Sequence, residues 1–191
     1  EVQCGVWPHE ANRGIDLRDL TVGIVGFGHM GSAFAQRLAG FGCLVLAYDL
    51  HPEKVNRALA QPVSLDELRR RADVISLHVP LTDSTRRMID AEWLADCTHL
   101  RCLVNSARGE VVDTSALVAA LRSGHLAGAA LDVLENERFS TLTPAQAADL
   151  RYLQTHPNVV ITPHIGGWTT ASYRRINEVL VRKLARFIQL P

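Results

Sequence analysis

This sequence lacks most of the features that mark specialised protein classes. No apolar run approaches the ~20 residues of a membrane-spanning helix, and no secretory leader is visible, so no membrane association is expected and a cytoplasmic location is. Charge of one sign is also missing. Twenty basic side chains face twenty acidic ones, which leaves no global field to draw nucleic acid or a membrane surface. The short arginine runs at 69–71, 86–87 and 174–175 read as solvated helix or loop faces. Cysteine is scarce, and Cys4, Cys43, Cys97 and Cys102 show no C-x-x-C spacing. They are expected to be buried free thiols in a reducing compartment, with Cys43 and Cys102 packed as small hydrophobes beside strand-like runs. The histidines form no H-x-x-x-H pair, which argues against structural zinc, and Ser106 has no nucleophile elbow around it. Repeats and low-complexity linkers are absent as well, so 191 residues of ordinary globular composition predict one domain with a sizeable core.

What the chain does have is a regular alternation. Runs of strand length fall at 22–25, 44–48, 73–79, 102–105, 126–133 and 158–162, and helical patterns lie between them. Met30, Phe34 and Leu38 form one helical stripe, and Gly31, Ala35 and Ala39 form a small-residue stripe suited to close packing on a sheet. Ser64 and Glu67 have the spacing of a capping box, Asp113 opens a helix whose Leu117, Ala120 and Leu121 share a face, and Gly124 falls where a left-handed cap would end it. Residues 143–155 look helical. Ile176, Leu180, Leu184, Phe187 and Ile188 mark a long final amphipathic helix. Strands alternating with helices predict an α/β fold: a Rossmann-type doubly wound parallel sheet of about seven strands in three α/β/α layers.

Residues 21–31 organise the rest. An apolar strand runs into Gly26, Gly28 and Gly31, a G-x-G-x-x-G placed where a helix begins. In such a turn Gly26 permits the tight bend, Gly28 lets the backbone approach a pyrophosphate, and Gly31 lets the helix lie close to the sheet. The amides at the helix start then face the phosphates. Asp49 ends the next strand, eighteen residues beyond Gly31, near the spacing of the acid that binds the adenosine ribose hydroxyls. A carboxylate there repels a 2′-phosphate, so NAD rather than NADP is expected.

The remaining polar residues of interest also follow strands. His78, Asn105, Arg108, Asp132 and His164 therefore converge on the carboxyl edge of the sheet, where open parallel sheets bind ligands. Arg108, His164 and Glu137 suit hydride transfer to a carbonyl. A guanidinium holds a substrate carboxylate with its planar fork, and an imidazole gives or takes a proton near neutral pH. An ionised carboxylate beside an imidazole favours its protonated form, and Glu137 is the candidate for that carboxylate, with Glu135 as the alternative. Taken singly, each also has a plain reading as a surface or turn residue.

Six motifs, in order, carry a resemblance: Gly26 to Gly31, Asp49, His78-Val79-Pro80-Leu81-Thr82, Asn105-Ser106-Ala107-Arg108-Gly109, Ala129-Ala130-Leu131-Asp132-Val133 and Thr162-Pro163-His164-Ile165-Gly166-Gly167. The chain resembles the nucleotide-binding domain of the D-isomer-specific 2-hydroxyacid dehydrogenases, which include phosphoglycerate dehydrogenase-like, D-lactate and glyoxylate/hydroxypyruvate reductase-type enzymes. The resemblance implies interconversion of a D-2-hydroxy acid and a 2-oxo acid, with Arg108 binding substrate, His164 as proton donor or acceptor, and Glu137 as its partner. It implies that Asp132 contacts the nicotinamide carboxamide. His29 and Met30 of the phosphate turn, His78, Val79, Pro80, Thr85, Asn105, Ser106, Ala107, Arg108, His164, Gly166 and Gly167 would line the cofactor.

A formate-oxidising branch has glutamine where Glu137 stands, and the family's usual proline after that glutamate is Arg138 here. The family also carries a separate substrate domain, of which this sequence has essentially none. Residues 1–191 are thus expected to be the dinucleotide-binding domain of a two-domain enzyme, binding NAD with little turnover alone. Residues 1–20 would then serve an interdomain or dimer interface, as in a homodimer built through this domain. The rival reading is an NAD(H)-sensing, corepressor-like interaction protein of the same family.

Overall fold

The computed structural model describes residues 2–188, so residue 1 and residues 189–191 of the expected 1–191 domain lie outside the described residues. In chain order the elements are β1 (Thr21–Val25), α1 (His29–Leu38), β2 (Leu44–Tyr48), β3 (Gln61–Pro62), α2 (Leu65–Arg71), β4 (Val74–Leu77), α3 (Ala91–Ala95), β5 (Cys102–Asn105), α4 (Thr114–Arg122), β6 (Gly128–Leu131), α5 (Pro144–Thr155), β7 (Val159–Ile161) and α6 (Thr170–Ile188). The strands form one parallel sheet in the order β3-β2-β1-β4-β5-β6-β7. Order reverses between β1 and β4, so a crevice opens at their carboxyl ends.

Alternation along each strand divides the core. Val22 and Ile24 of β1 face one side with Ala35 and Leu38 of α1, whereas Val25 joins Ile75, Leu77, Leu103, Ala129 and Leu131 on the other. That second face is covered by α2 to α5 through Leu68, Trp93, Leu94, Leu117, Leu121 and Leu153. Gly23 lets α2 lie close, since a Cβ there would press on Leu68 and Ala72 at 2.8–2.9 Å.

Several sequence expectations need correction. The strand Gln61–Pro62 was not among the apolar runs, because two residues carry no periodicity and their pairing with β2 is tertiary. The strands expected at 73–79, 126–133 and 158–162 are shorter, since their flanking residues turn into loops. Ser64 does cap α2 through the Glu67 N–H, but the Glu67 carboxylate turns to Arg71 instead of returning the bond. The full capping box sits at Thr143 and Gln146, heading α5. Met30 and Ala39 are exposed and leave their expected stripes, whereas Gly31, Ala35 and Leu38 are buried. All four cysteines are free, yet only Cys97 is buried; Cys43 and Cys102 are half-buried and Cys4 is exposed. Burial pushes the Cys97 thiol up to about 12. The third layer is partial: α6 is amphipathic as expected but buries none of its described residues, and Val160 of β7 stands open on the α1 face. No described helix is long and apolar enough to cross a membrane.

Candidate active site

The glycine turn lies at the carboxyl end of β1, against the residue that follows β4. Gly26 sits at φ +94°, where L side chains are strained, and a Cβ there would meet the His78 carbonyl oxygen at 2.8 Å. At Gly31 the Gly26 carbonyl occupies the space a Cβ needs, which sets how closely α1 approaches the sheet. Gly28 differs from both. It is the N-cap of α1, has extended backbone, and a Cβ on it would meet nothing within 4 Å. Among the described residues no side chain caps this helix, so its first amides face a cavity of about 600 Å³ that Phe27, His29, Ser32, Lys54 and Asn56 also border. Uncapped amides behind an unhindered glycine form a cradle for a pyrophosphate.

Asp49, just past β2, is aimed at the same turn: its Oδ2 accepts the Phe27 N–H at 2.7 Å and its Oδ1 the His51 N–H at 2.9 Å. The carboxylate pins the turn and keeps further lone pairs for sugar hydroxyls. Spacing did not single out Lys54, which reaches this cavity through tertiary folding.

His78 follows β4 as expected, but its ring is turned inward. Its Nε2 lies 2.9 Å from the Ser76 hydroxyl and its face packs on Phe34 of α1. Burial holds its pKa below the ordinary histidine value, which favours the neutral ring. Val79 is half-buried and Pro80 exposed beyond it. The Thr85 hydroxyl donates to the Pro80 carbonyl at 2.7 Å and accepts from the Thr82 N–H at 2.8 Å, tying the loop to itself.

Asn105 ends β5 buried and folds the next turn with both ends of its amide: Oδ1 accepts from the Ala107 N–H and Nδ2 donates to the Arg108 carbonyl, each at 3.0 Å. Ser106 is exposed and Ala107 buried, so the turn delivers Arg108 to the open edge. Gly109 is then pressed against the neighbouring loop, where the Leu134 carbonyl occupies the place of a Cβ.

Past β6, Asp132 holds the loop that carries His164. Thr162 Oγ1 and the Ile165 N–H donate to its Oδ1, and the Gly166 N–H donates to its Oδ2 at 2.8 Å. Burial alone would raise this carboxyl, but these donors and the nearby His164 outweigh it and hold Asp132 below the usual carboxylate range. A Cβ on Gly166 would crowd Asp132 Oδ2 at 2.9 Å, whereas Gly167 is unconfined. The turn sets His164 at φ +53°, a conformation rare outside glycine and asparagine.

There His164 Nδ1 lies 3.1 and 3.2 Å from the two oxygens of Glu137. Glu135 is committed elsewhere, to Arg87 and to the Thr114 N–H. Of the two acids left open, Glu137 is the one that lies beside the imidazole in the structure. Arg108, Glu137 and His164 line one cavity of about 300 Å³, joined there by Glu110, Glu135 and Arg138. Sequence reading placed Arg87 on a solvated face; its partners lie far along the chain, so no local spacing could reveal them.

A nucleotide cradle at a topological switch point, with an acid aimed at it from the end of β2, defines a dinucleotide-binding domain of the α/β class. The profile of the D-isomer specific 2-hydroxyacid dehydrogenase NAD-binding domain matches residues 1–166, and the chain belongs to that family. It is 43% identical over 180 residues to a D-specific alpha-keto acid dehydrogenase of Enterococcus faecalis, covering 92% of this chain and 54% of that protein. A hydroxypyruvate reductase of Thermotoga maritima is 40% identical over 181 residues, covering 94% and 56%. The crystal structure of D-lactate dehydrogenase with NAD+ from Lactobacillus jensenii superposes with a TM-score of 0.82 at 36% identity, covering 95% of this chain and 56% of that one. The chain therefore spans about half the length of the relatives it matches. NAD is its cofactor, and the cradle at Gly28 has the open approach and free amides that a pyrophosphate needs.

Proposed function

We propose that this chain is the cofactor half of an enzyme interconverting a D-2-hydroxy acid and a 2-oxo acid. The observation that carries this is the pairing of His164 Nδ1 with Glu137 beside Arg108 in a single cavity. With Nδ1 held by the carboxylate, Nε2 is the ring nitrogen left to exchange a proton with the substrate oxygen. Arg108 grips the substrate carboxylate through its planar fork and sets the carbonyl carbon within reach. Bound NAD supplies or accepts the hydride. Glu137 orients the imidazole and offsets its positive charge when protonated. Asp132 serves by fixing the turn under His164 while bordering the nicotinamide position.

The rest of the proposal concerns the assembly. Substrate closure needs a second domain, so the chain alone binds NAD and turns over poorly. Exposed Val2, Val6 and Trp7 suit a subunit interface, and we take the intact protein to be a homodimer through this domain. Free thiols fit a reducing compartment, and we place the protein in the cytoplasm.

The test is NADH consumption by the intact protein across a panel of 2-oxo acids. Arg108→Gln and His164→Gln should each lower turnover by roughly 10²–10⁴-fold while NADH still binds. Undiminished turnover in either variant would refute the assigned roles.

A further inference from the structure

One charged cluster at the strand ends has no task in the chemistry above. Arg87 lies between β4 and α3 at φ +50°, in the left-handed region that residues with side chains rarely adopt. Its Nε and Nη2 both meet Glu135 Oε1, with Nε at 3.0 Å, and its Nη1 lies 3.7 Å from Asp113 Oδ2. The other Glu135 oxygen accepts the Thr114 N–H at the start of α4. The Arg87 N–H donates to the Glu110 carbonyl at 2.7 Å, two residues past Arg108. Arg87 thus ties the loop after β4 to the head of α4 and the loop after β6 through its guanidinium, and to the turn after β5 through its backbone N–H.

The two acids of that last loop differ in setting. The Glu135 side chain is 16% exposed and neutralised by Arg87, whereas that of Glu137 is 46% exposed and paired with His164. Glu135 borders the same cavity as Arg108. Released, it would compete with Glu137 for His164 and with the substrate for Arg108. The loop has little slack on its other side, because Leu134 is in backbone contact with Gly109.

We infer that Arg87 is a positioning residue: by locking Glu135 it fixes the 133–137 loop from which Glu137 holds His164, and it keeps the wrong acid away from the reacting groups. This rests on the proposed reaction for its kinetic consequence, though the lock itself is a matter of loop order. Arg87 does not touch substrate and acts through Glu135.

The test uses the intact protein with Arg87→Gly, Arg87→Lys, Glu135→Gln and the Arg87→Gly/Glu135→Gln double variant. Glycine suits the positive φ, which guards the fold against the substitution itself. Turnover of a 2-oxo acid with NADH should fall about tenfold in Arg87→Gly, with the KM for NADH within twofold of wild type, and Arg87→Lys should recover part of the loss. In the Glu135→Gln background, Arg87→Gly should change turnover by less than threefold, because the acid to be restrained is gone. Amide hydrogen exchange read alongside should quicken at 133–137 in Arg87→Gly and stay unchanged in β1. Wild-type turnover and exchange in Arg87→Gly would overturn the inference, as would losses that multiply in the double variant. Should wild type itself reduce no 2-oxo acid, the reaction proposal fails, and exchange at 133–137 alone decides the lock. Should Arg87→Gly not fold, Arg87→Lys carries the same comparison.

Discussion

Two glycines of one turn should fail in opposite ways when each is replaced by alanine. At Gly26 the new Cβ meets a backbone at φ +94° and approaches the His78 carbonyl oxygen at 2.8 Å and its carbon at 2.9 Å. The strain of a positive φ costs about 1–3 kcal/mol. Crowding against backbone that cannot rotate away adds about 1–3 kcal/mol more. At about 2–4 °C per kcal/mol for a domain of this size, Gly26→Ala should lower Tm by roughly 5–20 °C. At Gly28 the Cβ meets nothing, the backbone is extended, and stability should stay within about 0.5 kcal/mol of wild type. If Gly28 is where the pyrophosphate approaches, the methyl group obstructs it, and NAD affinity should fall at least about tenfold, or 1.4 kcal/mol. Thermal unfolding and calorimetric NAD titration of the intact protein read the two effects separately. If both variants lose stability alike, or Gly28→Ala binds NAD as wild type does, the division of labour within the turn is wrong.

Two further outcomes concern titrating groups. Asp132→Asn keeps one acceptor oxygen and strands at least one donor of the 162–166 turn, so stability at pH 7 should drop by about 1–2 kcal/mol and turnover should fall as His164 loosens. Because the folded pKa of Asp132 is depressed, its contribution is present above the unfolded value of about 4 and is lost as pH falls through the lower folded value, so the gap between urea melts of wild type and variant should narrow as the medium is made more acid than about pH 4. Convergence at neutral pH would refute this. His78 has a depressed pKa as well, so the unfolded chain takes up its proton first and stability should decline as pH falls below about 6.5. His78→Gln removes that part of the decline, which Tm measured at pH 8 and pH 5.5 would show; an identical decline in both proteins would exclude His78 as its source.

The legible part of this molecule is the part written in short-range pattern. Apolar runs alternating with 3.6-period stripes give strands, helices and their parallel order, because hydrophobic periodicity reports which face is buried. Glycines at fixed offsets give the cradle, since only they relieve the steric demand at Gly26 and Gly31. A strand two residues long has no period to read, and the Gln61–Pro62 pairing exists only because β2 supplies the partner. Met30 falls on the right stripe by spacing yet is exposed at the start of α1 among the described residues.

Sequence by itself determined the class of the protein, the nucleotide turn, the acid after β2, and which residue types gather at the carboxyl edge. It did not decide which of two acids, Glu135 or Glu137, meets His164. Both follow Asp132 within five residues, and either could have turned to the imidazole. In the tertiary structure Arg87 reaches across from another loop to Glu135, and Glu137 is the acid that faces the ring. A charge pair between distant loops depends on how strands register and loops meet, and no local pattern encodes that.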